Sequence, residues 1–179
     1  MRRVALLVLA GCAASGSSLL SQRPPAGATA PSMAKTDPDT LARRLLTSAE
    51  TFRCHFTVNT LTMLDSVPPK TQRTNLTPEM PGGEDIVFDR IDRPHHRARE
   101  IGSSGAGPVD VISASDVLSF VETAPSGNPI VYTIFGRLVP GSLEGPLSAE
   151  LLAVSSSHIM GFHFVIATQD YGRCRAIPG

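Results

Sequence analysis

The sequence has no tryptophan, only 5% aromatic residues, no net formal charge and three cysteines in 179 residues. No apolar run approaches the roughly 18 residues of a membrane-spanning helix, so the body of the chain is expected to be soluble. Removing Arg2 and Arg3 with a leader would leave slightly more acidic than basic residues, which provides no footprint for nucleic acid. Gly102 to Pro108 is glycine-rich, but it lacks the Lys-Ser/Thr of a phosphate loop and precedes no helical pattern, which argues against a nucleotide site. No catalytic motif is visible, and neither a metal nor a cofactor is expected.

What is present suits one turn-rich domain. Apolar residues make up 41% of the chain, enough for a core, and proline and glycine number 15 each. The clearest stretch is 109–137. Val117 to Thr123 and Ile130 to Phe135 are rich in β-branched and aromatic residues, and Pro125 to Pro129 separates them with turn formers. Ser113 to Asp116 gives a second turn, which folds Val109 to Ile112 back beforehand and makes a three-stranded antiparallel meander.

The N-terminus carries an address. Met1-Arg2-Arg3 leads into the short apolar run Val4 to Ala10, the pattern of a secretion signal. That run ends in Leu9-Ala10-Gly11-Cys12, which resembles the lipobox of bacterial lipoproteins at all four positions. The resemblance implies cleavage before Cys12, thioether lipidation of Cys12 and acylation of the new terminus. Several acyl chains on one terminus anchor stably where one does not. Ala13 after the cysteine suggests the outer rather than the inner membrane by the sorting rule of that class. The alternative is an ordinary cleaved signal peptide using the small residues around Ala10 to Ala14.

The reading therefore divides the chain into a signal peptide (1–11), a lipidated Cys12 with a flexible tether (12–36) and one β-rich domain (37–179). Ala13 to Lys35 is mostly Ser, Gly, Ala, Pro and Thr, too little apolar surface to offset ordering entropy. A flexible tether of that length spans roughly 25 to 30 Å.

With Cys12 lipidated, Cys54 and Cys174 are free to pair in an oxidising compartment. Closing the long loop between them stabilises by up to about 4 to 5 kcal/mol in the chain-entropy model. Two buried free thiols are the alternative.

Along the domain, Asp37-Pro38-Asp39-Thr40 predicts a helix start, with Leu41, Leu45, Ala49 and Phe52 as its apolar stripe. The period changes at Phe52, where Phe52, Cys54, Phe56 and Val58 alternate with polar residues as in a half-buried strand. Asp65 to Asp85 reads as a long irregular loop. Ile86 to Ile91 and Arg97 to Ile101 read as strands, the second a polar edge. Gly102 to Pro108 reads as a turn and Leu151 to Val154 as a strand ending at Ser155-Ser156-Ser157-His158. His163 to Ile166 and Tyr171 to Ile177 close the chain.

The fold class expected is mainly β: an antiparallel meander of about eight strands, barrel-like or strongly curved, with one N-terminal helix. Pairing Cys54 with Cys174 requires the first and last strands to meet, which favours closure. The domain resembles a group of small uncharacterised secreted bacterial proteins in Cys54, Ile91-Asp92, Ile101-Gly102, Phe120 to Asn128, Ala153 to His158 and Tyr171 to Cys174. It departs from them at Ser157 and Asp170, and the resemblance implies no activity.

Three weak constellations remain. His158 and His163 flank a turn, with His55 or Asp170 as a third metal ligand, but surface or hydrogen-bonded histidines are the expectation. Ser155 to Ser157 beside His158 lack triad geometry. Arg90, Arg93, Arg97 and Arg99 are interleaved with Asp89, Asp92 and Glu100, which predicts a solvated, charge-balanced face. The expected role is a non-enzymatic binding or structural module that touches the membrane through its lipid anchor and an envelope protein through its surface. A carrier of a small apolar ligand inside the barrel is the alternative, and an envelope enzyme ranks last.

Overall fold

The computed structural model describes residues 37–80, 82–103, 105–124, 127–142, 148–160 and 164–178. The signal peptide, Cys12 and the tether lie outside the described residues, as does His163.

Helix α1 (Pro38–Ser48) starts as predicted. The Asp37 carboxylate accepts from the Thr40 backbone N–H at 3.0 Å, and Pro38 occupies the first helical position. The buried centre of its apolar arc is Ala42 and Leu46, with Leu41, Leu45 and Ala49 half-buried beside it. Two adjacent apolar pairs, 41/42 and 45/46, widen and rotate the stripe relative to the predicted one.

Nine strands follow: β1 (Phe52–Met63), β2 (Lys70–Asn75), β3 (Ile86–Asp92), β4 (Arg97–Gly102), β5 (Gly105–Ser113), β6 (Val117–Thr123), β7 (Pro129–Leu138), β8 (Glu150–Met160) and β9 (Val165–Ala176). Consecutive strands from β3 to β9 pair antiparallel, and β1 closes the circuit by pairing with both β3 and β9. Eight strands thus form a closed barrel, and β2 attaches to the far half of β1. The predicted meander of three strands is β5, β6 and β7.

Several predicted boundaries are corrected. The segment 65–85 is not all loop, because β2 lies within it; its sequence Lys-Thr-Gln-Arg-Thr-Asn has no apolar alternation since nearly every residue is exposed. Strand β4 is not an edge: it pairs on both sides, and its polar residues answer partners, with Arg99 bonded to Asp89 across β3. The glycine-rich segment is strand from Gly105 onward. Strand β8 runs on through Ser155 to Ser157, and the two final runs merge into β9.

The seam between first and last strands is stapled. Cys54 and Cys174 face each other in register, Cα atoms 4.0 Å apart, and form a disulfide closing 120 residues. Just beyond it the register shifts between Phe56 and Val58, and the backbones approach so closely at Gly172 that a Cβ there would lie 2.2 Å from the His55 carbonyl oxygen. Only glycine fits.

Side chains fill the lumen. Phe88 on β3 stacks on Phe120 on β6, ring centroids 4.0 Å apart, although two strands separate them around the wall, so the pair spans the interior. Tyr132 packs against both Phe88 and Phe56, at 5.1 and 6.2 Å. Helix α1 packs on β7 at one end of the barrel. Arg93, in the β3–β4 turn, fixes the helix there by donating from Nη2 to the Leu46 and Ala49 carbonyls, 2.7 Å each, which satisfies groups a helix C-terminus leaves open.

Candidate functional site

The end opposite the helix differs in two ways. First, its interior is polar. A cross-strand row runs from Tyr132 on β7 through Ser155 on β8 and Asp170 on β9 to Asn59 on β1. Ser155 is only 5% exposed. Asn59 Nδ2 donates to Asp170 Oδ1 at 2.6 Å, and Ser157 and Thr168 hydroxyls meet at 2.6 Å. Tyr132 donates its phenol to Glu100 Oε1 at 3.3 Å, while Glu100 Oε2 is buried with no protein partner.

Burial acts on each of these groups. It pushes the Glu100 carboxyl up to about 7, aided by the nearby charge of Glu122 and opposed by the Tyr132 hydrogen bond. Burial raises Asp170 above the usual carboxylate range against the pull of Asn59, and it raises the Tyr132 phenol, which also faces Glu100 and Glu122. A small cavity of about 150 Å³ opens beside Glu100 and Glu122 along Gly105 to Val109. Its two carboxylates, Glu100 and Glu122, make it polar.

Second, this end exposes apolar side chains. Past Cys54 the first strand leaves β3 and takes β2, so β2, β1, β9 and β8 form a four-stranded flap in that order. Ten large apolar side chains are exposed among the described residues, and six of them gather on the flap and its turns: Met63, Leu64, Val67, Ile159, Met160 and Phe164. Register sets them on both faces of the flap: Met63 and Ile159 both face Ile166, on the face that carries Asp170 and Ser155 further down, and Met160 faces Val165 on the other. Val67 is wholly exposed. Singly exposed apolar residues are ordinary, but a cluster on one projecting element marks a contact surface.

The described histidines do not converge. His55 bonds Asp85 at 3.1 Å on the outer face, whereas Asp170 points inward to Asn59. His95 pairs with Asp92 and His96 with the Val111 carbonyl. Among the described residues, no group of three ligating side chains could hold a metal. Ser155 and Ser157 face inward while His158 is exposed, so the serine run does not assemble a nucleophile and base. The predicted arginine face splits: Arg99 is ion-paired, and Arg93 is structural.

Sequence reasoning missed the flap because its apolar residues lie at strand ends beside turns, where no periodicity reveals them. It missed the Glu100 site because Glu100 looked like part of a polar edge. Comparison of the chain with family models, curated proteins and solved structures finds no match.

Proposed function

We propose that the chain is a lipid-anchored lipoprotein of the bacterial envelope whose barrel is a non-enzymatic module, binding an envelope protein through the apolar flap. The observation that carries this reading is the pairing of aromatic side chains packed across the lumen, Phe56, Phe88, Phe120 and Tyr132, with six exposed apolar side chains on the flap and its turns. Aromatic side chains packed across the lumen count against the carrier alternative. The lipobox and the odd third cysteine support the anchor and the envelope location.

Two measurements on protein recovered from cells test the proposal. The mass of the N-terminal peptide of the mature chain is expected to show acylated Cys12, with Cys54 and Cys174 resistant to alkylation until reduced. A photocrosslinker in place of Val67 is expected to yield a discrete protein adduct, and one in place of the exposed Ile112 on β5 none. An unmodified N-terminus overturns the anchor; equal crosslinking at both positions overturns the flap as the binding surface.

A further inference from the structure

A groove of about 830 Å³ lies on the outer face of the seam, lined by side chains of β1, β8 and β9 and by the residues after β9. Register places Arg53 on β1 opposite Arg175 on β9, with His55 opposite Arg173 and Glu150 on β8 opposite Arg175. Like charges directly opposite one another across a strand pair repel. One carboxylate answers two of the three guanidiniums: Glu150 accepts from Arg173 at 3.1 Å and from Arg175 at 3.0 Å. The other nearby carboxylate, Asp85, is taken by His55. Arg53 has no carboxylate partner among the described residues. The Cys54–Cys174 bridge lies between these two cross-strand pairs in register, on the inner face, and holds the two strands at fixed separation beneath the groove.

We propose that this groove binds a phosphate-bearing anion, with Arg53 and Arg175 as its principal donors. A phosphate offers enough acceptor oxygens to engage both guanidinium forks, whereas a carboxylate has only two and reaches two guanidiniums with one oxygen each, as Glu150 does. Binding would relieve the repulsion between Arg53 and Arg175 and leave Glu150 with Arg173. The surface is separate from the flap and does not depend on the anchor. Free phosphate esters and a phospholipid headgroup share this chemistry.

Thermal unfolding of the full mature chain separates them. Inorganic phosphate, compared with sodium chloride at equal ionic strength, is expected to raise Tm by about 3 to 5 °C more in the wild type than in Arg53→Gln. Arg175→Gln is expected to lose the same increment. In chloride, Arg53→Gln should be no less stable than the wild type, because it removes a repulsion; a merely structural arginine would not behave so. Monomeric dihexanoylphosphatidylglycerol forms the second arm. An increment that depends on Arg53 with the lipid alone assigns the site to a headgroup, and one with inorganic phosphate assigns it to the phosphate itself. Equal increments in wild type and both variants, with both probes, overturn the proposal, since they would reflect only general stabilisation by salt.

Discussion

The two ends of the barrel obey different rules. At the helix end, inward residues are apolar and most outward residues polar, apart from Ile112 and Leu152, and the elements close on one another: α1 covers the wall at β7, Arg93 caps the helix, and the disulfide staples the seam. At the mouth the pattern differs, with Glu100, Asp170 and Ser155 facing in and Val67 and Met160 exposed. A chain gains stability from the first arrangement and loses some by the second, so the mouth is where recognition is expected.

This contrast predicts a graded series of effects. The largest belongs to the helix side of the lumen and the seam. Phe120→Ala removes the ring stacked across the interior and should cost about 3 to 5 kcal/mol in urea unfolding. Replacing Cys54 and Cys174 together by alanine should cost about 2 to 5 kcal/mol. If either change cost no more than a surface substitution, the closed, filled barrel would be wrong. Next comes Arg93→Ala, which strips two charged hydrogen bonds from the helix C-terminus; a loss of about 2 to 3 kcal/mol is expected, with amide exchange rising in α1 before the strands.

The mouth should respond to pH instead. Folding raises the Glu100 carboxyl to about 7, so the folded state binds that proton more tightly than the unfolded one. The stability gained this way is fully present below about pH 4.5 and is lost as pH rises through 7. After allowing for solvent screening at the mouth, the loss is on the order of 1 to 2 kcal/mol. Glu100→Gln should flatten the stability profile across that window relative to the wild type; an unchanged slope would remove Glu100 from this role. The smallest effect lies on the flap, where Val67→Ser and Met160→Ser should change stability by less than about 0.5 kcal/mol.

The same division governed how far the sequence could be read. At the helix end, Phe52, Cys54 and Phe56 alternate cleanly, Asp37-Pro38 announces the helix, and the cysteine count points to the seam. Register and closure follow from those signals. At the mouth, strand-forming residues are polar or small: β2 has no apolar face, Gly105 to Pro108 reads as turn, and Ser155 to Ser157 reads as a strand end. Their strand conformation comes from partners, chiefly β1, β4 and β9, that lie far away in sequence. The inward carboxylates could not be recognised until the barrel curvature placed Glu100, Glu122 and Asp170 around one phenol.

The most direct test measures stability and partner capture on the same two proteins, Phe120→Ala and the double variant Val67→Ser/Met160→Ser, expressed with the native leader and recovered from detergent-solubilised envelope. The account predicts that Phe120→Ala loses several kcal/mol in its urea midpoint, whereas the double variant melts like the wild type but no longer brings down the protein that crosslinks at position 67. Undiminished capture by the double variant would contradict the assignment of recognition to the flap.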